Sequence, residues 1–150
     1  MFKDFPRLRY HVFLNHRGPD SKMTLAKQLY DSLTSNGLRV FLDNLELDGG
    51  MKIDCQIEIA IQFASVHIAI FSPNYAQSRW CLDELYLMAK SGAIILPVFY
   101  KVKSSVLYGD YAKVLVDHEN SGRYKSENIQ RWRSALSEVA EIKCLFDMDR

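Results

Sequence analysis

Trp80 and Glu84 stand four residues apart in FSPNYAQSRWCLDEL (Phe71–Leu85). If that stretch turns helical near Ser78, the spacing puts an indole and a carboxylate on one face. Cys81, Leu85 and Met88 then fall on a neighbouring apolar face that packs inward. Two adjacent acids, Asp83 and Glu84, are also what a helix N-terminus favours through its macrodipole. The pair therefore acquires chemical meaning only from what the rest of the chain brings beside it.

Two further stretches bring something. The apolar run Tyr10–Leu14 ends in Asn15-His16-Arg17-Gly18-Pro19, and the run Leu38–Leu42 ends at Asp43. An arginine, a histidine, an indole and a carboxylate at element ends suit a narrow range of reactions. One carboxylate cannot readily be both general acid and nucleophile, as most glycosidases require. It suits cleavage of an N-glycosidic bond whose leaving group is already cationic, as nicotinamide is in NAD⁺, because that group departs without a proton. The carboxylate would orient the ribose hydroxyls and stabilise the oxocarbenium charge. Trp80 would stack on a ring, and Arg17 would pair with phosphate.

Other chemistries lack their residues. The chain has no GxxxxGK[ST] loop, no GxGxxG fingerprint and no GxSxG elbow. His11, His16, His67 and His118 are scattered without metal-ligand spacing, and no metal or prosthetic group is expected. His67, inside an apolar strand, reads as a core histidine. Asp43 at a strand end suggests a phospho-accepting receiver, but that chemistry wants an acidic cluster near the first strand, and Asn15-His16-Arg17 offers none.

The elements that would position these residues can be read from periodicity. Tyr10–Leu14 is a buried strand, and Asp20 or Ser21 caps a helix with Leu25, Leu29 and Leu33 on its apolar face. Asn36-Gly37 stops it, and Leu38–Leu42 is the second strand. After a polar loop, Asp43–Gly50, a helix from about Lys52 to Phe63 presents Ile53, Ile57, Ala60 and Ile61. Val66–Phe71 is the third strand, followed by the helix of Trp80 and Glu84, which Gly92 ends. Ile94–Tyr100 is a fourth strand, with Pro97 requiring a bulge or a sheet edge. A short helix around Tyr111–His118 and a longer one from Glu127 to Lys143, striped with Ile129, Trp132, Leu136 and Val139, follow. Ile142–Phe146 reads as a last strand.

Alternating strands and helices imply an α/β fold: a flavodoxin-like open parallel sheet, order 2-1-3-4-5, with helices on both faces. Ligands of such sheets sit outside the carboxyl ends of the strands, at the switch between strands one and three. Those ends are Asn15-His16-Arg17 and Ser72, with Trp80 and Glu84 following the latter and Asp43 on the same edge.

At 150 residues, 48% apolar and 25% charged, the chain reads as a single domain spanning 1–150 with a core over about 10–146. A net charge of +1 gives no global case for nucleic acid or acidic lipid. Three dispersed cysteines with no CxxC argue against zinc and disulfides and for a reducing compartment. The N-terminus has no signal-peptide pattern, and the longest apolar run, Ala93–Tyr100, is too short to span a bilayer. A cytoplasmic or nucleo-cytoplasmic location is expected.

These same residues carry a family resemblance. YHVFLNHRG (Tyr10–Gly18) resembles the opening YDVFLSFRG of plant-type TIR (Toll/interleukin-1 receptor) domains. RVFLDNLELDGG (Arg39–Gly50) resembles their second strand and BB loop, and IAIFSPNYAQSRWCLDEL (Ile68–Leu85) their most diagnostic block. IILPVFYKVKSSVL (Ile94–Leu107) and IQRWRSALSEVAEI (Ile129–Ile142) resemble the later strand and helix. The chain is most similar to a TIR-only protein or the TIR module of a plant immune receptor.

The resemblance implies a self-associating NAD⁺ glycohydrolase or ADP-ribosyl cyclase of plant immune and cell-death signalling. It would release nicotinamide and yield ADP-ribose or a cyclic isomer. The family's catalytic glutamate falls on Glu84. The NAD⁺ contacts implied are His16, Arg17, Gly18, Asp43, Ser78 and Trp80. Protomers of the family complete the site with a neighbour's BB loop, here Asp43–Gly50, and lipase-like EDS-family complexes read the products. The family's final strand and helix would follow about where the chain stops, implying a trimmed or short form.

There are departures from the family pattern. His16 replaces a phenylalanine, Pro19-Asp20-Ser21-Lys22 stands for Glu-Asp-Thr-Arg, and Lys27-Gln28 stands for a Ser-His pair at an association surface. Two other functions compete with the enzyme: a non-catalytic adaptor working through homotypic contacts, and 2′,3′-cyclic nucleotide synthesis on nucleic acid.

Overall fold

The computed structural model describes residues 9–21, 25–42 and 55–146. Four strands, Tyr10–Asn15 (β1), Val40–Leu42 (β2), Ala64–Phe71 (β3) and Ile94–Phe99 (β4), form one sheet in the order β2-β1-β3-β4. All three pairings are parallel, with Val12 opposite Val40 and Val66, and Ile68 opposite Leu96. The helices are Lys27–Ser35 (α1), Cys55–Phe63 (α2), Arg79–Ser91 (α3), Asp110–Ser121 (α4) and Ser126–Phe146 (α5). The order expected from sequence thus holds for its first four strands.

The period-two alternation of the strands divides the interior into two layers. Phe13, Ala69 and Phe71 face a large core built with Ile57 and Ile61 of α2, Leu82, Leu85 and Met88 of α3, and Trp132 and Val139 of α5. Val12, Leu14, Ile68 and Ile70 face a smaller one closed by Leu29 and Leu33 of α1. Helices therefore cover both faces, as a parallel sheet requires.

Pro97 lies on β4, the outer strand on its side of the described sheet, opposite Ala69 of β3. That is where a residue without an N–H is tolerated. Gly92 closes α3 at φ +79°, the left-handed conformation that a glycine reaches at little cost.

Two expectations are corrected. Ile142–Phe146 is not a strand but the last turns of α5. No glycine, proline or asparagine interrupts the stripe that continues through Ala140 and Ile142, so the helix propagates. Asp20 does not cap α1. It lies inside the helical residues Gly18–Ser21 rather than before a helix start, and its carboxylate accepts from the Ser72 hydroxyl and the Asn74 backbone N–H. The expected helix start at Lys52 and the loop Asp43–Gly50 lie outside the described residues. The fifth strand has no counterpart among the described ones.

Candidate active site

β1 and β3 run parallel in register from Tyr10 opposite Ala64 to Asn15 opposite Ala69, so their carboxyl ends meet at one edge of the sheet. α3 starts there. Ser78 is its N-cap, extended at φ −93°, ψ 111°, and its hydroxyl accepts the Cys81 N–H at 3.3 Å. This satisfies one of the donors that the first turn leaves open. A short 3₁₀ turn, Tyr75–Gln77, links β3 to that cap.

Asp83 and Glu84 leave α3 about 100° apart, and the fold uses that angle to separate them. Asp83 faces α5, accepting the Trp132 Nε1–H at 2.7 Å, with Arg79 Nε 3.7 Å away. Burial raises its pKa, although Trp132 and Arg79 pull the other way. Glu84 faces β1 and is only 2% exposed. Its Oε1 accepts from Asn15 Nδ2 at 3.0 Å. A carboxylate so far from water is tolerable only with such donors.

Asn15 is fully buried. Its Nδ2 also lies 3.4 Å from the Cys81 carbonyl, and its Oδ1 accepts the Tyr75 hydroxyl. The same hydroxyl is 3.2 Å from the Cys81 carbonyl. Burial first, then the nearby Cys81 and Glu84, push the Tyr75 phenol well above its ordinary pKa, so it remains a proton donor at neutral pH.

A second network ties the two strand ends together. Asp20 accepts Ser72 Oγ at 2.6 Å and the Asn74 backbone N–H at 3.0 Å, and pairs with Arg17 at 2.8 Å. Burial raises the Asp20 pKa, but the Ser72 hydroxyl, the Asn74 N–H and the Arg17 charge outweigh it and leave the carboxyl below the usual range. Tyr111 of α4 donates to the Ser72 carbonyl at 2.6 Å. Burial likewise raises its phenol.

The expected site residues therefore fall as follows. Glu84 reaches the end of β1, and Trp80 lies one turn before it on α3, partly buried, its Nε1 enclosed without a hydrogen-bond partner. His16, buried, and Arg17 follow Asn15 directly. Gly18 opens the helical turn whose Asp20 engages Arg17. Ser78 is occupied as a helix cap, and Asp43 lies outside the described residues. His67 is the core histidine expected, its Nε2 2.8 Å from the Ile61 carbonyl and its ring edge-on to Phe13. Tyr75 and Asp20 were not anticipated at the site. Asn15 was placed at the strand end beside His16 and Arg17, but without a role of its own.

Among the described residues no cluster of three His, Cys, Asp or Glu side chains is arranged to hold a metal ion. None of their helices is long and apolar enough to cross a membrane.

A four-stranded parallel sheet in this order, with a buried glutamate of α3 delivered to the end of β1, defines the class, and comparison with known families agrees. The TIR domain family matches residues 9–149, and the chain belongs to it. Over 131 residues it is 42% identical to "Probable 2' cyclic ADP-D-ribose synthase BdTIR" of Brachypodium distachyon, covering 87% of this chain and 56% of that protein. It is 37% identical over 144 residues to "TMV resistance protein N" of Nicotiana glutinosa, covering 91% of this chain and 13% of that one. The chain thus spans little more than half of the first relative and about an eighth of the second.

Among solved structures, the TIR domains of the activated Roq1 resistosome, which directly recognises the pathogen effector XopQ, match with a TM-score of 0.77 at 35% identity. That match covers 88% of this chain and 84% of the other. A metazoan TIR-STING receptor from C. gigas, at 20% identity and a TM-score of 0.52 over 85% of this chain and 40% of that one, shares the fold.

Proposed function

We propose that this domain cleaves the nicotinamide N-glycosidic bond of NAD⁺, with Glu84 as the catalytic carboxylate, in plant immune signalling. The observation that carries the reading is the buried Glu84 carboxylate, bonded to the end of β1 one turn from Trp80. The likeness to a protein named as a cyclic ADP-ribose synthase supports it, since a cyclic ADP-ribose is what remains of NAD⁺ once nicotinamide is lost and the ring is closed.

In this reaction the C1′–N bond breaks, and its electron pair leaves with nicotinamide, which becomes neutral. The positive charge passes to the ribose ring, where the Glu84 carboxylate stabilises it. A ribose hydroxyl of the same molecule closes the ring and loses its proton, giving a cyclic ADP-ribose; water attacking instead gives ADP-ribose. Solvent exclusion around Glu84 favours the internal hydroxyl. Trp80 stacks on a ring of the substrate, and Arg17 and His16, beside Gly18, meet its phosphates. Ser78 holds the first turn of α3 in place from the cap. Asp43 and the loop Asp43–Gly50 belong to a contact between protomers, so activity depends on self-association. The products act on lipase-like EDS-family complexes in the cytoplasm.

Purified protein incubated with NAD⁺ is expected to release nicotinamide, and Glu84→Gln to abolish that release. Specific activity is expected to rise with protein concentration. Undiminished turnover in Glu84→Gln would remove Glu84 from the reaction. Self-association without any NAD⁺ loss would mark the domain as an adaptor.

A further inference from the structure

We propose that Asn15 is a positioning residue for the reaction, presenting the Glu84 carboxylate ionised and in one orientation while Tyr75 locks the asparagine amide one way round. The inference rests on the reading of Glu84 as the catalytic carboxylate and goes beyond it, to the groups that keep that carboxylate ready.

The amide of Asn15 lies between groups that demand opposite things of its two ends. Nδ2 faces two acceptors, Glu84 Oε1 at 3.0 Å and the Cys81 carbonyl at 3.4 Å. Oδ1 faces the Tyr75 hydroxyl, which donates to it. Turning the amide over would set its oxygen against a carboxylate and a carbonyl. It would also leave the buried Tyr75 proton only the Cys81 carbonyl, 3.2 Å away. With Asn15 and Glu84 this deeply buried, each of those losses is costly. Asn15 is therefore held in the one sense that donates to Glu84.

Its backbone is equally constrained. Asn15 is the last residue of β1 and lies in register with Ala69 of β3, in the middle of the sheet. The rigidity of two central strands passes through one fully buried side chain to the carboxylate. The helix that carries Glu84 is tied to the same amide through the Cys81 carbonyl, so donor and acceptor cannot drift apart independently.

Charge explains why an amide suits this place. A carboxylate at 15 would repel Glu84 and force the two to share a proton. An apolar side chain would strand Glu84 Oε1 and the Tyr75 hydroxyl without this partner. The titratable and charged groups around the arrangement are Tyr75 from the turn after β3, Tyr111 from α4 and Cys81 on α3. Asp20, His16 and Arg17 join them, among the described residues, at the end of β1. Both tyrosines are kept neutral by burial, so neither supplies a competing negative charge near neutral pH.

Asn15→Asp and Tyr75→Phe test the proposal through two readouts. One is the titration of the Glu84 side-chain carboxyl followed by ¹³C NMR, its resonance assigned by its loss in Glu84→Gln. The other is the separation of kcat from KM for NAD⁺. In Asn15→Asp the Glu84 midpoint is expected to rise by about one unit or more, as for carboxylates in contact. At neutral pH kcat is expected to fall about tenfold or more, with KM changed less than about twofold, because an interaction with the reacting state is lost rather than uniform binding.

Tyr75→Phe, a smaller change that keeps the ring, is expected to move both quantities the same way by less. If Asn15→Asp or Tyr75→Phe lowers only the melting temperature and leaves the Glu84 titration and kcat in place, Asn15 is a packing residue and the proposal falls. The NMR titration needs no turnover. Failure of the NAD⁺ reading, seen as undiminished activity in Glu84→Gln, is therefore distinct from failure of the role assigned to Asn15.

Discussion

Ser72 donates its hydroxyl to Asp20 at 2.6 Å, so the turn after β1 and the loop after β3 share one carboxylate. The two residues are 52 positions apart, and Asp20 also takes the Asn74 N–H and the Arg17 guanidinium. The switch point of the sheet is thus closed by a side chain as well as by strand pairing.

Loss of that closure should be measurable. Asp20→Ala leaves the Ser72 hydroxyl and the Asn74 N–H without this acceptor, and is expected to cost about 1–3 kcal/mol in denaturant unfolding. The pH dependence follows from the lowered pKa of the folded state. A carboxyl depressed in the folded protein contributes its full stability above its ordinary value of 3.8, and the contribution is lost as pH falls through the lower folded value. Between pH 5 and 2 the wild-type protein should therefore lose more stability than Asp20→Asn. Parallel acid unfolding curves would contradict this.

Asp83 should behave in the opposite sense. Its pKa is raised, so the fold disfavours its charge. Its contribution is greatest at pH below the ordinary 3.8 and declines as pH rises through the higher folded value. Asp83→Asn keeps an oxygen for the Trp132 N–H and gives up the partly exposed contact with Arg79 and the weaker attraction of Arg131, pairs of a kind worth about 1 kcal/mol or less. Stability at neutral pH should change by less than about 1 kcal/mol. Asp83→Leu removes the acceptor and should cost about 1–3 kcal/mol by thermal or denaturant unfolding.

Gly92 isolates a backbone effect. A Cβ at this position would meet nothing within 4 Å, yet φ is +79°. Gly92→Ala is accordingly expected to lower stability by about 1 kcal/mol, through conformation rather than crowding. A neutral result in equilibrium unfolding would mean that the end of α3 relaxes to another geometry.

The sequence made legible whatever repeats with a period. The apolar run Tyr10–Leu14 marked β1 as a buried strand, and the stripe Ile129, Trp132, Leu136, Val139 marked α5. The four-residue spacing placed Trp80 and Glu84 on one face of α3, and the helix runs from near Ser78 to Gly92 as read, although the role of Ser78 as its cap was not foreseen. The last strand was misjudged because a short apolar run at a helix end has the same composition as a strand. At the site, the convergence of Asn15-His16-Arg17 with Glu84 followed from sheet topology. The hydrogen bonds themselves did not. Asn15 reaches partners 60 and more residues away, and Asp20 partners more than 50 away, and single polar residues meeting across the fold leave no periodic trace. Asp83 and Glu84 look equivalent in the chain, and only the helix angle parts them.

The two sides of the sheet are unequally protected. α3 places Cys81, Leu82, Glu84, Leu85 and Met88 fully inside, whereas α1 buries none of its nine residues completely. A segment with so little at stake in the interior can detach while the remainder stays intact. In deuterium oxide the amide protons of α1 should be replaced well before those of α3, through partial openings that leave the carboxylate and its amide partner undisturbed.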